Sequence, residues 1–293
     1  MATLRRILLA TDLEPKSDRA MERAVRLASQ FGAELTALHV VRDGDRLYGA
    51  MPLHHVEMEI RRHLLATPGA AGIATRAVAV KGEAVGPQVA GYAETWQPDL
   101  VVVGHHQRDG VTELFLPATA ERIAIADETP LLIVRAKPLG PYARPLVPVD
   151  FSERSRPSVA AARLLAPDGR LDLLHVFDVP AIAHPPATRL DTTEFADDFR
   201  ALLDDAEAID RTVTVEVRTG SPPPQIVAAA RNGRYDLVVM GSARRNGLSR
   251  AVLGSVAHEV LDGLPCDTLI TGESPSTNAP AAVLASLMPW AKA

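Results

Sequence analysis

The stretch Asp99-Leu100-Val101-Val102-Val103-Gly104 recurs 137 residues later as Asp236-Leu237-Val238-Val239-Met240-Gly241. In each, an acidic residue precedes four apolar residues and a glycine. Such a run, with no polar alternation, is expected of a strand buried on both faces of a parallel sheet. Working outward, three more matches lie in the same order. Ile7-Leu8-Leu9-Ala10-Thr11-Asp12 aligns with Leu146-Val147-Pro148-Val149-Asp150 at the aspartates, an offset of 138. Leu35-Thr36-Ala37-Leu38-His39-Val40 aligns with Leu171-Asp172-Leu173-Leu174-His175-Val176, offset 136, and Val80-Lys81-Gly82 with Arg218-Thr219-Gly220, offset 138. Four ordered matches that drift by two residues mark an internal duplication.

Each copy alternates short apolar runs with helical patterns. In the first, the runs are Ile7–Ala10, Leu35–Val41, Ala74–Val80, Leu100–Val103 and Leu131–Val134. Between the first two, Ala20, Ala24, Leu27, Ala28 and Phe31 fall at three- and four-residue spacings, which predicts a helix over Ser17–Gln30 with Gly32 as its stop. Further helices are expected at His55–Ala66, Val85–Trp96 and Thr119–Ala126. The second copy repeats the plan near Ser155–Ala166, Thr193–Ala208, Pro224–Asn232 and Ser255–Asp262. Strand–helix alternation implies an α/β fold of two tandem, doubly wound domains, each a parallel sheet flanked by helices. The Pro/Gly-rich stretch Lys137–Tyr142 is the expected boundary, giving domains 1–140 and 141–272 and a C-terminal tail, 273–293, either frayed or packed as a short helix.

Composition narrows the function classes. The chain has 293 residues, about twice an ordinary domain, with 47% hydrophobic residues and a net charge of −5. It carries no long basic run, which argues against nucleic acid as a partner. No segment reaches the ~18 consecutive apolar residues of a membrane span. The N-terminal apolar run Ile7–Thr11 ends at Asp12 and reads as a strand rather than a signal peptide. One cysteine, Cys266, excludes an internal disulfide and fits a reducing cytoplasm.

In an open α/β sheet, ligands bind beyond the carboxyl ends of the strands, where the strand order reverses. Asp12 and Asp150 end the first strand of each copy; Gly104 and Gly241 end the fourth. Such an aspartate either accepts hydrogen bonds from a sugar hydroxyl or base amine, or caps the following turn and helix. His39 and His175 recur inside strands, which favours a core or crevice-lining role; no Cys/Asp/Glu set completes a metal shell around the histidines. After Gly241 the second copy runs to Gly254-Ser255-Val256, where a helical pattern begins. Backbone N–H groups, a hydroxyl and a glycine that permits close approach make a phosphate cradle.

This segment resembles the nucleotide loop of ATP-binding universal stress proteins, whose pattern is G-x2-G-x9-G-[ST]. Gly241, Gly254 and Ser255 match and the nine-residue spacer Arg245–Leu253 is intact, but Arg244 replaces the second glycine. Its guanidinium either reaches phosphate or fills the space of the ribose. The first copy departs further: Gln107 and Pro117 stand at the second and third glycines, and Ala118 at the hydroxyl. Proline removes an N–H donor. Gly104-His105-His106-Gln107 instead resembles the A-type subfamily, which as a group lacks nucleotide binding.

The resemblance implies a five-stranded sheet of order 3-2-1-4-5 in each copy and an intramolecular pseudo-dimer through the last strands, with a further homodimer left open. It implies a stress-response regulatory protein holding one ATP per chain in the C-terminal domain, with little or no catalysis. The expected site residues are Asp150, Val176, Gly241, Arg244, Gly254, Ser255 and Val256. The alternative is a tandem member that has lost nucleotide binding and acts through a protein partner or an apolar ligand. Net acidity without a basic stripe gives a first test. At physiological salt, sub-micromolar protein should leave a DNA duplex unshifted in a gel; a persistent shift would contradict the acidic-surface reading.

Overall fold

The computed structural model describes residues 4–42, 44–105, 129–152, 155–177, 192–203, 213–242 and 255–272. The chain divides at Gly140/Pro141 into two compact units. In the first, strands β1 (Arg6–Ala10), β2 (Glu34–Val41), β3 (Thr75–Lys81), β4 (Leu100–Gly104) and β5 (Leu131–Val134) form a parallel sheet of order β3-β2-β1-β4-β5. Helices α1 (Asp18–Phe31), α2 (Leu53–Ala66) and α3 (Val85–Trp96) make the crossovers. Buried on both faces, β4 and β5 have no exposed residue, whereas edge strand β3 is only partly covered.

The second unit has β6 (Pro145–Val149), β7 (Leu171–Phe177), β8 (Val213–Thr219), β9 (Leu237–Gly241) and β10 (Asp267–Thr271) in the order β8-β7-β6-β9-β10. Counted from the start of each copy, both orders are 3-2-1-4-5. The helices are α4 (Ser155–Leu165), α5 (Ala196–Leu202), α6 (Pro222–Gly233) and α7 (Ser255–Leu261).

Local chemistry explains the element ends. Gly32 closes α1 with φ of 65° and donates its N–H to Ala28 O, the left-handed stop expected there. Helix α6 starts at Pro222, two residues before the expected Pro224, because proline is tolerated in a first helical turn whose N–H groups lack partners anyway. The helix expected over Thr193–Ala208 is shorter: a 3-10 turn, Thr192–Phe195, precedes α5, and residues 204–208 lie outside the described region. The expected helix Thr119–Ala126 and the tail 273–293 also lie outside it.

The aspartates that open the repeated stretch hold the amino ends of the strands together. Asp99 Oδ2 accepts the backbone N–H of Arg5 at 2.7 Å and of Arg6 at 2.9 Å. Asp236 does the same for Ala143, at 2.7 Å, and Arg144, at 3.0 Å. Arg6 lies over the Trp96 ring and donates to Trp96 O, and Arg144 lies over the Tyr235 ring and donates to Gly233 O, the position that aligns with Trp96. In the second unit the buried Asp172 also accepts from Arg144 Nη2 (3.3 Å), Arg170 Nε (3.1 Å) and Tyr235 Oη (2.7 Å). Burial, reinforced by that bond to Asp172, raises the Tyr235 pKa well above the ordinary phenol value.

Each Asp99 contact is a charge-assisted bond to a backbone donor. Asp99→Ala should therefore lower the unfolding free energy by about 1–3 kcal/mol. Leu139→Ala, at an 89% exposed position, should stay within about 0.5 kcal/mol of wild type. Chemical denaturation of both variants checks the contrast.

Candidate functional site

Parallel strands end together, so the first-, second- and fourth-strand ends of a copy are neighbours along one edge. In the second unit this brings Asp150, just past β6, Val176, near the end of β7, and Gly241, the last residue of β9, to the same edge. The strand order reverses between β6 and β9. Val176 is half-buried opposite Arg218 of β8, and Gly241 pairs with Thr271 of β10. Ser242 N then donates to Thr271 O at 2.8 Å, carrying the chain one residue further along the edge. Ser255 is the first residue of α7, and Val256, 37% exposed, the second. Arg244 and Gly254 lie outside the described residues, as do His106, Gln107, Pro117 and Ala118 of the first copy.

Asp150 caps its turn. Its Oδ1 accepts hydrogen bonds from Ser152 N at 3.0 Å, Ser152 Oγ at 2.6 Å and Ser155 Oγ at 2.9 Å. Ser155 Oγ in turn accepts from Asp150 N at 3.1 Å, which locks the strand end to the first residue of α4. Asp12 Oδ1 likewise accepts Glu14 N at 2.9 Å and Ser17 Oγ at 2.5 Å. Of the two roles open to these aspartates, capping is thus present in both copies. The serine five residues after each aspartate was the legible signal, because it repeats.

The strand-borne histidines fasten the same turn from the side. His175 Nδ1 is 2.9 Å from Val149 O, and His39 Nδ1 is 2.8 Å from Thr11 O. A carbonyl only accepts, so Nδ1 carries the hydrogen in both rings. The residue after each aspartate, Leu13 or Phe151, has a left-handed backbone, φ 62° and 60°. That conformation is costly for a bulky side chain, and the cap and the histidine together hold it.

The two edges differ in detail. Strand β1 pairs with β4 through four residues, Ile7 to Ala10, but β6 pairs with β9 only at Pro145↔Leu237 and Leu146↔Val238. In the first copy Thr11 N donates to Leu38 O of β2, so the neighbouring Ala10 N–H faces β4. Pro148 holds the matching position in β6 and has no N–H, so that rung cannot form. The β6–β9 ladder therefore stops short of its carboxyl end. On the first edge, Tyr48 lies edge-on to the buried His39, ring centroids 5.2 Å apart. Burial, and then the nearby Glu59 and Asp45 carboxylates, raise the Tyr48 pKa.

Burial pushes the Asp150 carboxyl up, but the hydrogen bonds from Ser152 and Ser155 outweigh it and leave the pKa lowered. A lowered folded pKa adds stability above the unfolded value, about 3.9, that is lost as pH falls through the folded value. Asp150→Ala should cost about 1 kcal/mol at neutral pH, as for other caps, and nothing once the pH is well below the folded value. Unfolding midpoints of variant and wild type should converge on acidification.

Comparison with known proteins bears on the whole chain. It matches the universal stress protein family twice, over residues 3–135 and 141–272. A universal stress protein of Mycolicibacterium smegmatis is 35% identical over 135 residues, 45% of this chain and 46% of that protein, so the match spans about half the relative's length. One from Methanocaldococcus jannaschii is 28% identical over 138 residues, 44% of this chain and 81% of that protein. The crystal structure of a universal stress protein from Archaeoglobus fulgidus covers 92% of this chain and 97% of its own, with a TM-score of 0.65 at 19% identity, a likeness of fold. The chain belongs to the universal stress protein family, with two such domains in tandem.

Proposed function

We propose that this is a stress-response regulatory protein that binds one ATP in its second domain, residues 141–272, with little or no catalysis. The first domain, residues 1–140, is its partner. The observation that carries the reading is the meeting of Asp150, Val176 and Gly241 on one sheet edge, beside a strand ladder that Pro148 leaves short. The loop that leaves this edge at Gly241 has the spacing of the ATP-binding pattern up to Gly254 and Ser255, and α7 starts at Ser255. In this reading Gly254 and Ser255 meet the phosphates, Gly241 lines the ribose side, and Asp150 and Val176 meet the base or sugar. No helix among the described residues is long and apolar enough to cross a membrane. The buried thiol of Cys266 supports a reducing, cytoplasmic setting.

One substitution favours a second reading. Arg244 in place of the motif glycine suits a protein that has given up nucleotide for a protein partner or an apolar ligand, if its side chain fills the ribose space.

Isothermal titration with ATP tests both. The first reading expects a single site per chain, weakened about tenfold by Ser255→Ala and nearly abolished by Gly254→Pro. Ala118→Ser in the first domain should change nothing, because Pro117 still withholds an N–H. Two equivalent sites would refute the asymmetry. No heat at millimolar ATP, with none co-purified, would favour the second reading.

A further inference from the structure

Two hydroxyls are buried beside the end of β9. Ser158 of α4 has no exposed surface, and Thr271, the last residue of β10, keeps 3%. Their side-chain oxygens lie 2.9 Å apart. Thr271 Oγ1 also donates to Met240 O at 3.4 Å, so the hydrogen between the two hydroxyls comes from Ser158. The backbone carbonyl of the same threonine accepts Ser242 N at 2.8 Å. Thr271, the ladder partner of Gly241, thus holds the residues on both sides of that glycine. Ser158 in turn fixes the Thr271 side chain from the helix packed against the sheet.

The first domain builds the same strand end without the hydroxyls. Gly104 pairs with Val134 as Gly241 pairs with Thr271, and His105 N donates to Val134 O at 2.8 Å. Ala20, three residues after Ser17, holds the place of Ser158, three residues after Ser155. Ala20 and Val134 are both buried. The backbone bond is therefore common to both sheets, and the fold forms with neither hydroxyl. Burying a hydroxyl is costly unless it is hydrogen-bonded, and a matched pair adds little net stability over two apolar groups of similar shape. Stability alone gives no reason for the pair, and it sits in the domain whose loop keeps the Gly254-Ser255 pattern.

Resting on the nucleotide reading above, we infer that Ser158 and Thr271 are positioning residues for the ligand: they hold Gly241 and Ser242, the root of the loop, in the place from which the loop meets ribose and phosphate. Both side chains are closed off from solvent, so they act at one remove. Thr271 acts through the backbone on either side of Gly241, and Ser158 acts through Thr271. A loop whose root is held in its bound geometry loses less freedom when the ligand arrives, which raises affinity without any new contact.

Titration of the full chain with ATP, thermal unfolding and amide hydrogen exchange test this together. Ser158→Ala combined with Thr271→Val installs the pair of the first domain. It should weaken ATP about tenfold while the unfolding midpoint stays close to that of wild type. Thr271→Ser keeps the hydroxyl and should bind ATP within about twofold of wild type. The Ser242 amide should exchange about tenfold faster in the double variant, with that of His105, its counterpart, unchanged. A purely structural role would lower the midpoint and leave the affinity of the folded protein as it was. Equal ATP affinity in wild type and the folded double variant therefore overturns the positioning role and leaves nucleotide binding intact. A Thr271→Ser variant as weak as the double one, or Ser242 exchange that the double variant does not alter, does the same. If the double variant fails to fold, wild-type exchange decides, and a Ser242 amide no better protected than that of His105 overturns the role. No ATP bound by wild type overturns the nucleotide reading and the positioning role with it.

Discussion

Each sheet depends on one contact at its amino end: the carboxylate of Asp99 or Asp236, at the entrance to the fourth strand, accepts two backbone N–H groups from the entrance to the first. Parallel strands have no tight turn between them to set their register, because each connection must cross back over the sheet. A side chain that binds the start of a neighbouring strand supplies that register directly. Once the central pair is aligned at its start, the carboxyl ends align as well. The turn residues Asp12 and Asp150 are then brought beside Gly104 and Gly241 as a geometric consequence.

The duplication makes the fold and its departures comparable within one molecule. Both copies keep the clamp, the capping aspartate with its serine, the histidine on the strand-end carbonyl and the left-handed residue after the aspartate. These are what the turn needs in order to exist, so their presence in both copies says little about ligands. What distinguishes the copies lies around that shared frame. Pro148 replaces Ala10 and shortens a ladder, and Phe151 replaces Leu13 and gathers an aromatic group.

The fold was largely legible in the sequence because its signals are long-range and redundant: apolar runs of four to seven residues, repeated in order, fit only strands of a buried parallel sheet. Boundaries were less so. Propensity places a helix over Thr193–Ala208, but a 3-10 turn takes its first residues. Three consecutive prolines hide a helix start that their missing N–H groups in fact permit. At the edge, Asp150, Val176 and Gly241 could be placed from strand ends alone. The aromatic group could not, because Phe151 and Phe195 are 44 residues apart and meet only through the crossover that packs α5 against α4. Asp99 and Asp236 were visible as the first letters of the repeat, yet their role appears only when the strand order is known.

The two oxygens of Asp150 tie these levels together. A cap and a ligand contact are usually weighed as competing explanations for an aspartate at a strand end, since a carboxylate spent on its own turn has little left for another partner. Here the three capping bonds all converge on Oδ1. That convergence fixes the carboxylate plane, and with it the direction in which the exposed Oδ2 faces. The same bonds lower the pKa, so the acceptor stays ionised at neutral pH. In the ATP-binding reading proposed above, capping leaves the group pre-oriented for a ligand's donor. A turn built for stability and a site built for a ligand can share one residue when the burden falls on separate atoms.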